Sequence, residues 1–192
     1  MAEEEHTHTE TRDEPLDAEH ATRRRLALAQ IRQYPDRVLR MRAHEVEEFD
    51  EDLRRLAERM ITLMQDASGV GLAGNQAGVL RRIVVMQPDQ DEKAFAVVNP
   101  VLVAQGDERE TDEEGCLSLV GVLAPVERAT TVGLEGQGID GERLALELEG
   151  LAARVAQHEL DHLDGILIID RTTKEARRGA LARLRPQPVL DR

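Results

Sequence analysis

Aromatic residues are nearly absent from this chain of 192: there is no tryptophan, one tyrosine (Tyr34) and two phenylalanines (Phe49 and Phe95). The core must then be built from Leu, Val, Ile, Ala and Met, and no aromatic platform exists on which bases could stack. Together with a formal net charge of −13, which repels phosphate, this argues against nucleic-acid binding by the main domain. A single cysteine, Cys116, excludes an internal disulfide framework and fits a reducing compartment. No apolar run approaches the roughly 18 residues of a membrane span. The N-terminus is acidic where a signal peptide needs positive charge, so a cytoplasmic location is expected.

The length suits one domain with a substantial core plus tails. Much of the acidity is local, because the first twenty residues hold eight acidic groups against Arg12. Met1 to His20 has almost no apolar residue and cannot bury enough surface to offset its ordering entropy, so a disordered tail is expected, with His6, His8 and His20 solvated in it. The expected organisation is an acidic tail over 1–24, a catalytic domain over 25–170, and a basic helix and tail over 171–192.

From Val46 to Met64, apolar residues recur at spacings of three and four, which predicts a helix with its methionines in the core. The segment Gly69-Val70-Gly71-Leu72-Ala73-Gly74-Asn75-Gln76 reads as a small-residue loop; its glycine spacing matches neither a dinucleotide fingerprint nor a phosphate loop. Strands are predicted at 82–86, 95–98, 101–104, 122–126, 131–134 and 144–148, the last with apolar Leu144, Leu146 and Leu148 alternating with Ala145, Glu147 and Glu149. No helices separate consecutive strands, which implies antiparallel pairing. The fold class is therefore α+β: antiparallel β-sheets packed around a central helix at about 150–163, with an N-terminal and a C-terminal helix. Asp164-Gly165 would stop the central helix.

That central helix carries His158-Glu159-Leu160-Asp161-His162. Two histidines four apart share one helix face, so both imidazoles can reach one ion, while Glu159 flanks it and is free to move protons. Leu151 and Val155 extend the same line, which predicts that the ligand face is also the buried face. Cys116, in Glu114-Gly115-Cys116-Leu117-Ser118, offers a third ligand. One thiolate and two imidazoles leave a fourth tetrahedral position open, the pattern of a catalytic rather than a structural site, and by ligand type alone they suit zinc.

Three segments, at 69–76, 114–118 and 157–162, resemble the signature motifs of the peptide deformylases and stand in that family's order; the resemblance covers roughly Ile31 to Arg171. It implies a metallohydrolase that removes the formyl group from the N-terminal formyl-methionine of newly synthesised polypeptides. Formate would be released after attack by a metal-bound water. It further implies Cys116, His158 and His162 as metal ligands, Fe2+ as the ion with Zn2+ as an alternative, and Glu159 as the proton carrier. Gln76 and the Leu117 backbone N–H would be oxyanion donors. Gly71 and Gly115 would admit the peptide backbone, and Val70, Leu151 and Val155 would line the methionine pocket.

The chain departs from the family pattern at Gly74, Ala152, Val120 and Asp112. Asp112 suggests an acidic cleft rim and hence weaker processing of acidic nascent termini. Arg171, Lys174, Arg177, Arg178, Arg183 and Arg185 face a single acid, Glu175, on a helical stretch that could touch ribosomal RNA. A monomer is expected. Two rival readings stay open at this point: a metallopeptidase with a different third ligand, and a metal-stabilised binding protein without catalysis.

Overall fold

A computed structural model describes residues 14–184. In chain order its elements are α1 (Glu14–Gln30), a 3-10 turn (Arg37–Arg40), α2 (Glu51–Asp66), β1 (Gly71–Ala73), β2 (Ile83–Met86), β3 (Phe95–Gln105), β4 (Arg109–Gly115), β5 (Leu123–Ala129), β6 (Thr131–Gln137), β7 (Arg143–Glu149), α3 (Gly150–Leu163), α4 (Ile168–Arg171) and α5 (Lys174–Leu184). Strands β1-β2-β3-β6-β7 form one sheet in that order and β4-β5 a second, and every pairing between named strands is antiparallel. The α+β class is as the sequence implied.

Strand β2 shows why α3 is central. Ile83 and Val85 pack with Leu53, Met60 and Met64 of α2, whereas Val84 and Met86 pack with Val155, Ala156 and Leu160 of α3. Both faces are covered, so Ile-Val-Val-Met reads as a continuous apolar run rather than an alternation. At the sheet's edge, β7 has one wet face and alternates as expected. A third apolar cluster joins Leu119, Val122, Ala124 and Val126 to Ile168, Ile169 and Ala180, which fixes α4 and α5 against β5.

Several boundaries differ from expectation. Helix α2 begins at Glu51 rather than at Val46, because Asp50 caps it by accepting from the Leu53 N–H at 2.9 Å. Val46 is held outside the helix by Asn99, whose side chain accepts from the Val46 N–H at 2.8 Å and donates to its carbonyl at 2.9 Å. The two strands expected around Asn99-Pro100 are a single strand, β3. Its register shifts at this dipeptide, where a proline's missing N–H is tolerated. Strands β1 and β4 escaped the sequence reading: β1 is three residues of a glycine-rich segment, and β4 is polar and mostly exposed.

At the N-terminus, α1 runs from Glu14 straight through the expected tail boundary at 24. Ala27 and Ile31 are buried in the core cluster shared with α2, and His20 lies 3.4 Å from the Ser68 hydroxyl. The disordered-tail expectation is thus overturned for the helical residues; His6 and His8 lie outside the described residues, as does Arg185. Among the described residues no helix is long and apolar enough to cross a membrane.

Helix α3 spans Gly150 to Leu163 as expected and ends at Asp164 and Gly165, the glycine having φ +76°. A side chain could not replace it easily, since a Cβ there would lie 2.6 Å from the Arg40 carbonyl oxygen. One expectation for this helix fails: Leu151 is 52% exposed, so the buried face begins at Val155, which is 5% exposed. Leu151, in the first turn of α3, lines a cleft mouth instead.

Candidate metal centre

Helical spacing on α3 sets His158 and His162 side by side, with ring centroids 5.0 Å apart. Cys116 follows the end of β4, and its Sγ lies 3.1 Å from His162 Nε2. The three donor atoms of Cys116, His158 and His162 all lie within 4.8 Å of one another. Two segments 42 residues apart in sequence, from Cys116 to His158, therefore meet at one point.

A buried ionic network fixes this geometry. Glu114 accepts from Arg128 through both carboxylate oxygens, at 2.9 and 3.0 Å, and from Arg154 at 2.9 Å, and its Oε2 lies 3.0 Å from His158 Nδ1. Arg128 also donates to Asp161 at 2.6 Å, so it ties the cysteine-bearing strand to α3. With Nδ1 of His158 occupied by Glu114, Nε2 is the nitrogen left for a ligand; such carboxylate–imidazole pairs orient metal-binding histidines.

Electrostatics pulls the two histidines apart. Burial pulls the His158 pKa down, but hydrogen bonds with Cys116 and Glu114 outweigh it and hold the group well above its ordinary value. Burial and the neighbouring His158 hold His162 well below its own. Burial also pushes the Glu159 carboxyl up to about 7. Two buried atoms of the motif, Glu159 Oε2 and His162 Nδ1, have no hydrogen-bond partner among the described residues. A soft sulfur and two imidazoles converging beside a buried carboxylate with an unpartnered oxygen are what a bound divalent ion with an open position would use.

Gln76 is also buried, and its orientation is fixed. Its Oε1 accepts from the Ala73 N–H at 2.8 Å, which turns Nε2 toward Ser118 Oγ at 3.2 Å and Cys116 Sγ at 3.6 Å. Leu117 is anchored through its carbonyl by Gln33 at 2.9 Å. A cleft of about 510 Å³ opens over these groups, lined by Gln76, Cys116, Leu117, His158 and Glu159 and by Val70, Gly71, Gly115, Leu151 and Val155. Every candidate site residue read from the sequence lies in this cleft, except His162, which sits beneath it against Cys116.

The sequence reading missed the supporting groups. Glu114 and Asp161 stood inside the quoted motifs without a role, and Arg128 was not singled out. Parity could have found it: in β5 the inward positions are Ala124, Val126 and Arg128, so a charged side chain on that face needed buried partners. Nothing in the sequence pointed to Arg24, Leu28 or Arg183, which line the cleft from the two ends of the chain. Asp112, expected at the rim, is exposed and does not line the cleft.

The polypeptide deformylase family model matches residues 28–178. The chain belongs to the polypeptide deformylase family. It is 42% identical to a peptide deformylase of Desulforudis audaxviator over 148 residues, 77% of this chain and 96% of that one. It is 43% identical to peptide deformylase 1 of Corynebacterium glutamicum over 162 residues, 83% of this chain and 96% of that one. The crystal structure of peptide deformylase from Thermotoga maritima superposes with a TM-score of 0.72 at 45% identity, covering 74% of this chain and 96% of that one. The chain is accordingly a metal-dependent hydrolase that removes the N-formyl group from nascent polypeptides. Both rival readings fall with that assignment. The matched residues begin at 28, so most of α1 precedes the family's own span.

Proposed function

We propose that this deformylase acts on the formyl-methionine of newly made chains through Cys116, His158 and His162 as ligands of ferrous iron, with Glu159, Gln76 and the Leu117 N–H performing the chemistry. The observation that carries the assignment of roles is the convergence of the three donors beside a buried carboxyl whose pKa is pushed up to about 7. A divalent ion held there supplies Lewis acidity, which polarises the formyl group and lets a water molecule lose a proton near neutral pH. Zinc would suit the same donor set.

Glu159 accepts the proton of the attacking water; a carboxyl near 7 is matched to that task. Charge then builds on the former carbonyl oxygen. Gln76 Nε2, held beside Cys116 and Ser118, and the Leu117 N–H donate to it. As the C–N bond breaks, Glu159 returns the proton to the leaving amine, and formate and a free methionyl N-terminus remain. The peptide backbone is admitted between the outer edges of β1 and β4, each of which pairs with only one strand. Val70, Val155 and the exposed Leu151 offer apolar surface to the methionine side chain.

In this proposal the enzyme works as a monomer in the cytoplasm, where nascent chains emerge, with α5 against ribosomal RNA. Arg171 is held by Asp161, Arg177 by Asp170, and Arg183 lines the cleft, so Lys174 and Arg178 are the cations that α5 keeps for phosphate. Removing α5 would strip Ala180 from the core, so charge removal at Lys174 and Arg178 followed by ribosome co-sedimentation is the cleaner test.

The chemical assignment is tested by preparing the chain without oxygen, loading ferrous iron, and measuring formate release from a formyl-methionyl peptide. Glu159→Gln should lower kcat on the order of 10²- to 10⁴-fold with iron content unchanged. Unaltered turnover in Glu159→Gln, or cleavage between residues in place of formate release, would refute the proposal.

A further inference from the structure

The cleft rim carries charge opposite to the chain as a whole. Net charge is −13, yet the mouth is lined by Arg24, Arg154 and Arg183 against Glu113 and Glu114. Glu114 and Arg154 cancel, being bound to each other at 2.9 Å. Arg24 and Arg183 remain against the exposed Glu113, one positive charge in excess, and among the described residues neither arginine has a carboxylate partner; both are exposed and are held only by carbonyls. Arg24 Nε donates to the Ala67 carbonyl at 3.3 Å, and Arg183 Nη1 donates to the Gly121 carbonyl at 3.5 Å. Gly121 lines the cleft from the loop between β4 and β5, and Ala67 immediately precedes Ser68 to Gly71, which line it from the chain leading into β1.

The position of Arg24 relative to the reaction follows from β1. Gly71 lies against Glu159, since a Cβ on it would overlap that carboxylate. From Gly71 the edge runs inward to Leu72 and Ala73, both fully buried, or outward through the half-buried Val70 and Gly69 to the exposed Ser68. A peptide whose formyl end is at Glu159 can extend only outward. It advances about 3.3 Å per residue along the edge, so the second and third residues approach the Arg24 wall.

We propose that Arg24 and Arg183 make this enzyme prefer formyl-peptides with an acidic side chain at the second or third residue. The inference rests on the deformylase reading above and reverses the weaker processing of acidic termini expected from Asp112. The two cations come from the ends of the chain that flank the catalytic segments, so this specificity is added around the reaction centre and does not alter it. The chain's net charge of −13 repels such a substrate at long range, so the preference has to come from direct pairing at the mouth.

The test uses the iron-loaded enzyme with formyl-Met-Ala-Ala, formyl-Met-Ala-Asp and formyl-Met-Ala-Lys, together with the formyl-Met-Asp-Ala and formyl-Met-Lys-Ala pair. Turnover of the all-neutral peptide reads the deformylase chemistry separately; if that is absent, the underlying reading fails and the preference with it. At low salt, kcat/KM for an aspartyl peptide should exceed that for its lysyl counterpart by about five- to tenfold. The ratio should shrink toward one at about 0.5 M salt, where screening is strong. It should also approach one in the Arg24→Gln/Arg183→Gln double variant. A ratio near one in the unaltered enzyme, or one that survives both substitutions, overturns the proposal. So does a double variant that loses ribosome co-sedimentation while keeping the ratio, which would assign the arginines to RNA.

Discussion

Glu114 Oε2 lies 3.0 Å from His158 Nδ1, so the residue two positions before Cys116 orients a histidine 44 positions further on. The carboxylate therefore serves two candidate ligands at once, one through the chain and one through a hydrogen bond. Replacing it as Glu114→Gln keeps the shape and removes the charge. Metal affinity, read by chelator competition, should fall about 10- to 100-fold, while Cys116 and both histidines are untouched. An unchanged affinity would reduce Glu114 to a packing role.

How much of this was legible beforehand depended on whether a residue's role is local or topological. The ends of α3 could be read because the motif, its spacing and Asp164-Gly165 all lie in one stretch. The Cys116–His162 encounter at 3.1 Å could not be computed from spacing; it rested on the family resemblance. The start of α2 was misread because the apolar period continues to Val46, while Asn99, more than fifty residues away, removes Val46 from the helix. Likewise α1 looked too polar to order, since the partners that order it, the shared core with α2, belong to a later segment. Leu151 failed for a simpler reason: it lines the open cleft, so its place on the helix's apolar line does not bury it.

Arg128 joins Glu114 and Asp161 in the interior and is itself buried. Substituting Arg128→Met would leave Glu114 without its bidentate partner and Asp161 with Arg171 alone, and breaking such a pair from one side costs about 3–5 kcal/mol. The pH dependence has a definite sign. Burial would raise the Glu114 carboxyl, but His158 and Arg128 overcome it and hold the group at about 2, below the ordinary 4.5. Stability from this carboxylate is thus present above 4.5 and lost as pH falls toward 2. In Arg128→Met, acid unfolding followed by circular dichroism should begin at higher pH than in the unaltered chain. A coincident acid transition would exclude Arg128 as the cause of the depressed pKa.

Gly71 tests the placement of the base. A Cβ there would overlap Glu159 Oε1 and come within 2.8 Å of Val155 Cγ1. Both neighbours are buried, so the carboxylate must swing away from its position over the metal ligands. For Gly71→Ala, kcat/KM should drop about 10²-fold, the cost of displacing a reacting group by roughly an ångström. Bound metal should be retained, because no ligand moves. Full activity in this variant would mean that Glu159 is not the group that transfers the proton.

The raised pKa of Glu159 gives a second signature, independent of turnover. With its carboxyl pushed up to about 7 by burial, the folded chain holds a proton that the unfolded chain releases near 4.5. Stability associated with this group is therefore fully present below 4.5 and declines as pH rises through about 7. A glutamine has no proton to lose, so Glu159→Gln should escape the decline. Urea unfolding of chelator-treated protein should show the two chains similar in pH trend below 4.5. By pH 8 the variant should be relatively more stable by roughly 3 kcal/mol, the worth of a shift of about 2.5 pKa units. Adding a divalent ion should flatten the slope in the unaltered chain, because a cation held by Cys116, His158 and His162 favours the carboxylate beside it. Parallel stability profiles for the two chains from pH 4 to 8 would show that the buried carboxyl is not protonated, and would remove its claim to be the proton acceptor poised near neutrality.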